Sequence, residues 1–342
     1  MINTETLQRG YKELKNQLET HEKQWHKKEI RKTINKVAGG VLVYELIMFL
    51  IIIVDIIRRI LPFFFGNNEL DIDSAIDNIV NKAMYSGTSS IIAVFIGMIF
   101  LVFYFRKCDY RNLIFRSQEK MTGISFLILL TIFMSAQAVF SIAGAGIEAG
   151  LNRFGFSILS EIESAASNST TVSMFLYASF IGPIAEEIVF RGFVMRGFQK
   201  YGTYYAIFMS AVIFGAFHGN LIQSIFATLV GFVLGYAAMK YSIKWSILLH
   251  IINNFIFGDL LSYLTANLND TMQSMVIYAI EGVFFAGTIA IIIMKRNEMK
   301  QFIKNKKVEK GLLRLTFTSI WLLIFLAFQI FMGITGIEKL SG

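Results

Sequence analysis

The chain is short of the residues that shape soluble and secreted proteins. It has one cysteine, Cys108, so no internal disulfide framework can form. A lone thiol in this setting reads as a bystander, not a nucleophile. Proline occurs only twice, and charged residues make up 16% of the chain, against about 25% in an ordinary soluble domain. There is no internal repeat and no linker rich in Gly, Ser or Pro, which removes solenoid and low-complexity readings. No cleavable signal peptide is expected at the start of the sequence, because residues 1–36 are strongly charged. The first apolar run is expected to act as an uncleaved anchor.

What is present suits lipid. The hydrophobic fraction is 55%, with 33 phenylalanines. A spanning helix needs about 20 mostly apolar residues. Nine segments qualify: 38–57, 89–105, 121–146, 172–190, 203–219, 221–239, 245–263, 272–294 and 312–333. The fold class expected is all-α, a polytopic transmembrane helical bundle of eight or nine spans. The fifth and sixth spans are separated only by Gly219 and Asn220, and the seventh is the weakest. The chain then divides into a basic helical arm (1–36), N-terminal spans (37–171) with an external loop at 58–88, a core (172–263) and C-terminal spans (264–342).

Lysine and arginine set the orientation. With the N-terminus inside, 27 of the 32 basic residues fall in inner segments. This predicts a cytoplasmic N-terminus and an external C-terminus. The net charge of +8 is then a topology signal. Its scatter among short loops argues against a nucleic-acid patch. In the external loop, Ile72, Ile76, Ile79 and Ala83 recur at helical spacing, as in an interfacial amphipathic helix. In the arm, Leu7, Tyr11, Leu14, Leu18 and Trp25 lie near heptad spacing, a handle for a partner or for the membrane surface if the arm is more than a cytosolic extension. His21 and His26 resemble a zincin helix but are five apart. That places them about 140° apart around a helix, where four-residue spacing would give about 40°. No metal site is expected there.

Ionisable groups inside a span cost about 2.5–3.5 kcal/mol each, so they usually have a partner or a task. Two of the four histidines, His218 and His250, fall in spans, as do Glu186, Glu187, Asn253 and Asn254. Glu187 and Arg191 are four apart and can pair on one helix face. Glu186 is rotated from Glu187 by about 100° and is free to face elsewhere. His250 and Asn254 are also four apart. Ala227, Gly231 and Gly235 form a ridge of small residues that lets helices approach closely. Each residue alone could be a structural anchor. Together, an acid, two imidazoles and an amide are the groups that activate water and stabilise an oxyanion.

At these residues the sequence resembles the CAAX protease and bacteriocin-processing family of intramembrane metalloproteases. Glu186-Glu187 with Arg191 looks like its EExxxR motif. Phe214 to His218 looks like FxxxH, and His250 to Asn254 like HxxxN, in the family's order. The resemblance covers about 172–260. It implies an all-helical bundle enclosing an intramembrane cavity. It implies an endopeptidase acting on a membrane-associated or lipidated peptide or protein, as the CAAX prenyl endopeptidase does. By the same resemblance the catalytic residues are Glu186, His218, His250 and Asn254, supported by Glu187, Arg191 and Phe214. A divalent metal, zinc by the family's description, would sit on Glu186, His218 and His250; direct activation of water by Glu186 is the rival. Bacteriocin immunity, a non-catalytic scaffold and a proton-coupled transporter are the alternative functions. Richness in Ile, Lys and Asn points to an AT-rich bacterial genome and hence a bacterial plasma membrane.

One geometric conflict remains. Chain distances from Arg196, Tyr201 and Lys244 to the three ionisable positions are about 15, 25 and 9 Å at about 1.5 Å per residue. Straight upright helices would place Glu186, His218 and His250 at different depths. A tilted fifth helix or a break at Gly219 inside the membrane is expected.

Overall fold

The computed structural model describes residues 4–65, 76, 78–80, 82–83, 85–107, 114, 116–166, 169–298, 300 and 311–340. The helices in chain order are α1 (Thr4–Phe65), α2 (Gly87–Tyr104), α3 (Gly123–Asn152), α4 (Leu159–Ala166), α5 (Val172–Tyr201), α6 (Thr203–Phe217), α7 (Leu221–Lys240), α8 (Ile243–Thr265), α9 (Asp270–Met294), α10 (Leu312–Phe317) and α11 (Ile320–Thr335). Among the described residues, seven are long and apolar enough to cross a membrane: α1, α2, α3, α5, α7, α8 and α9. The apolar α6 and α11 are shorter. Each expected span has a helix, and the all-α polytopic bundle holds. The protein is an integral membrane protein. Its strand content among the described residues is one antiparallel pair, Phe156 with Lys339 and Ser157 with Glu338.

The N-terminal region departs from expectation. α1 runs unbroken across the boundary at residue 36 and on past residue 57 to Phe65. Residues 4–37 contain no proline and many straight-chain Lys, Glu and Gln, which favour helix. Gly39 and Gly40 do not break it, because they lie against Trp321 and Tyr104; a Cβ on Gly40 would come within 2.9 Å of the Tyr104 ring. Further on, Asp55 accepts from Arg58 Nη2 (2.9 Å), Arg59 Nε (2.7 Å) and Ser89 Oγ (2.7 Å). That cluster ties the end of α1 to α2. Ile79 and Ala83 are buried, so this stretch of the loop is turned into the protein. Ile72 lies outside the described residues, as does Cys108. In the arm, Tyr11 and Trp25 are exposed.

The centre of the bundle is the hairpin α6–α7. α6 has 15 residues, about 22 Å of helix at 1.5 Å per residue, too short for a hydrocarbon core of about 30 Å. It ends where Gly219 takes a positive φ of 59°, a conformation open to glycine without steric cost. Asn220 Oδ1 accepts from Gln223 N (2.9 Å) and starts α7. The break expected at Gly219 is therefore the turn of this hairpin. The small-residue ridge also does its work: a Cβ on Gly231 would lie 3.0 Å from Ala211 Cα, and one on Gly235 3.0 Å from Ile207 Cγ2. The last expected span is split into α10 and α11 by a break at Thr318–Ser319.

Candidate active site

α5 carries the two glutamates on a helix of uneven pitch. It widens to π-helical turns at Tyr177–Ile181 and again at Ile188–Val194, with Gly182–Glu187 between them. Pro183 has no N–H to give and its ring crowds the preceding turn, so a widened turn just before it is the expected relief. π turns recur at functional sites because each one re-aims the side chains that follow. α8 does the same: it is regular through Ile252 and π-helical over Asn253–Leu260.

The rotation between Glu186 and Glu187 separates two environments. Glu187 is fully buried. Its Oε1 lies 3.0 Å from Arg191 Nη1 and 3.0 Å from His250 Nδ1, and its Oε2 accepts from Ser246 Oγ. Arg191 is fully buried too. It donates to Gly231 O at 3.4 Å and lies over Phe214, 4.2 Å from the ring centroid. Phe214 is packed edge-on to both His218 (4.9 Å) and His250 (5.8 Å). The phenylalanine of the second motif thus packs against the cation and both imidazoles.

Glu186 faces a cavity of about 350 Å³. Its Oε2 is 3.7 Å from His250 Nε2, too long for a direct hydrogen bond and short enough for one bridging water. Glu186, His218, His250 and Asn254 all line this cavity. His218 Nδ1 lies 2.8 Å from Phe214 O. A carbonyl only accepts, so that nitrogen carries the proton and Nε2 is left for the cavity. Asn254 Nδ2 donates to Ala178 O (3.0 Å), while its Oδ1 accepts from Asn253 Nδ2 (3.0 Å). Gln137 Nε2 on α3 donates to Asn253 Oδ1 at 2.8 Å. A three-amide chain therefore holds Asn254 and leaves it one N–H.

Sequence reasoning placed the motif residues and missed their supports. Ser246 is four residues before His250 and shares its helix face, a signal that was there to read. Gln137 and Tyr177 have no local mark; tertiary packing brings Tyr177 to the cavity and Gln137 to Asn253 on its wall. Arg191 and Arg196 are both buried, and Arg196 is bonded to Ala238 O (3.2 Å) and Gln199 Oε1 (3.1 Å). They brace helices and do not line an opening.

Residues 168–256 match the family described as Type II CAAX prenyl endopeptidase Rce1-like. That segment is similar to this family over about a quarter of the chain. All three motifs lie within it, so the resemblance read from them holds. A Bacillus subtilis (strain 168) protein named "Putative membrane peptidase YdiL" is 28% identical over 143 residues, which cover 40% of this chain and 57% of that protein. The chain thus spans just over half the length of that curated relative. No solved structure matches it. The Rce1-like segment holds every group that lines the cavity except Phe133, which comes from α3.

Proposed function

We propose that the protein is an intramembrane endopeptidase that cuts a membrane-associated or lipidated peptide, with Glu186 as the base that activates water. The observation that carries this is the placing of Glu186, 3.7 Å from His250, in one cavity with His218 and Asn254. The Rce1-like segment and the similarity to a protein named as a membrane peptidase support the same reaction class.

In this reading a water sits between Glu186 and the Nε2 of His218, which accepts one of its hydrogens. Glu186 takes the other proton as the water oxygen bonds to the scissile carbonyl carbon. The remaining N–H of Asn254, and His250 when it carries a proton on Nε2, donate to the oxyanion. The C–N bond then breaks, and Glu186 returns its proton to the leaving amine. Glu187 keeps His250 in place throughout.

Two imidazoles and a carboxylate are metal-binding chemistry, and both histidines are oriented through Nδ1 as metal ligands commonly are. Among the described residues, however, no three His, Cys, Asp or Glu side chains are gathered closely enough to hold an ion. The donor arrangement does not fit zinc as it stands, so no step is routed through a metal.

The basic-residue bias supports a cytoplasmic N-terminus in a bacterial plasma membrane. Comparative peptidomics of membranes from cells with and without the protein tests the function. The expected result is a set of peptides made only in its presence and lost with Glu186→Gln. An identical peptide set would favour a scaffold, immunity or transport role.

A further inference from the structure

A second cavity of about 370 Å³ adjoins the first. The two share Ala178, Gln223, Phe226, Asn253 and Asn254, so they are neighbouring chambers with the two asparagines at the partition. The second chamber is bounded by α3, α8 and α9, and no Lys or Arg is among the described residues lining either one.

Two carboxylates face this chamber, and they are used differently. Asp259 has both oxygens engaged: Oδ1 accepts from Ser169 N (3.0 Å) and Oδ2 from Ser179 Oγ (2.5 Å). It staples the loop before α5 to α8. Glu281 is only 7% exposed and is the one buried residue on the described α9, a 25-residue apolar helix. Its Oε1 accepts from Ser141 Oγ at 2.9 Å. Among the described residues no hydrogen bond to its Oε2 is seen, and the residue lines the chamber. Glutamate within a span is costly, and a single serine hydroxyl does not compensate a carboxylate. A carboxylate turned inward from a lipid-facing helix, beside Phe140, Phe226 and Phe257, is the pattern that receives a cation with an apolar stem.

We propose that this chamber is a substrate subsite that takes a basic side chain, lysine or arginine, close to the scissile bond, with Glu281 as its counter-charge. The inference rests on the protease reading of Glu186. A peptide lying across Glu186 and past Asn253 and Asn254 delivers its neighbouring residue into the chamber. Its ammonium or guanidinium group meets Glu281 Oε2, and its methylenes lie along the phenylalanines.

The test is a binding ratio that needs no turnover. Full-length protein carrying Glu186→Gln, in lipid nanodiscs, is titrated with a fluorescein-labelled apolar decapeptide bearing one central lysine. The same peptide with norleucine there is the neutral reference. The lysine peptide should bind at least about tenfold more tightly, as for a desolvated charge pair. Adding Glu281→Gln should bring the ratio to about one. Glu281→Met, apolar and suited to a lipid-facing helix, replaces it if the glutamine variant does not fold. A ratio near one with Glu281 present, a ratio unchanged by its replacement, or binding of neither peptide overturns the subsite. The two proposals fail separately. A lysine preference lost with Glu281, but no cleavage by protein with Glu186 intact, keeps the subsite and removes the protease reading. Cleavage without a lysine preference does the reverse.

Discussion

Glu187 Oε1 sits 3.0 Å from His250 Nδ1 while Glu186 Oε2 sits 3.7 Å from Nε2 of the same ring. Adjacent residues of one helix thus flank the two nitrogens of the imidazole, Glu187 in contact with Nδ1 and Glu186 within one bridging water of Nε2. The buried glutamate is tied to Arg191 and Ser246; the other faces the cavity. The division of labour follows from the roughly 100° between successive helical residues.

Arg191→Ala should destabilise the protein strongly. It strips the buried Glu187 of its cation and Phe214 of the guanidinium above it. Removing one partner of a buried pair costs about 3–5 kcal/mol. Thermal unfolding in detergent should show a clear drop in Tm, and Arg191→Lys should not restore it, because an ammonium cannot stack on Phe214 as a guanidinium does. An Arg191→Ala protein with wild-type Tm and lost activity would contradict this.

Ser246→Ala should lower turnover with a smaller effect on folding. The serine donates to Glu187 and so bears on His250 only through it. A hydrogen bond to a charged group is worth about 1.5–3 kcal/mol. The expected signature is a fall in kcat with KM nearly unchanged, partly rescued by Ser246→Thr. A Ser246→Ala enzyme with wild-type kcat would remove the serine from the positioning set.

Asn254→Ala should cost about 10²–10³ in kcat, the usual effect of losing one oxyanion donor. Gln137→Ala should act in the same direction and less strongly, since Gln137 reaches Asn254 only through Asn253. Steady-state rates on a cleaved peptide check both. Full activity in Asn254→Ala would take the amide out of the chemistry.

Chelation should leave the rate unchanged. Protein dialysed against EDTA or 1,10-phenanthroline and assayed in metal-free buffer is expected to cut as before. Loss of activity restored by added zinc would show that the donors regroup around an ion.

The sequence made some of this legible and hid the rest for physical reasons. Glu187–Arg191 and the small-residue ridge obey local helical spacing, so they could be read directly. Glu186, His218 and His250 stood out because ionisable groups are rare in apolar spans. The turn at Gly219 was legible twice, as the two-residue gap between the fifth and sixth spans and as a depth conflict. The π-helical turns at Tyr177–Ile181 and Asn253–Leu260 have no periodic signature and were not foreseen. Gln137 and Glu281 are distant in sequence from the motifs, and only packing brings them to the cavities. The unbroken α1 was missed because its pattern changes from charged to apolar without the helix ending.

The account turns on Glu186, and the most direct measurement compares peptide hydrolysis by wild-type and Glu186→Gln protein in the same proteoliposomes, with Tm recorded for both. The carboxamide keeps the size of the side chain and cannot take a proton from water. With Tm unchanged, the rate should fall by about 10²–10⁴-fold, the usual contribution of a positioned general base. A Glu186→Gln protein that cuts at the wild-type rate would contradict the account.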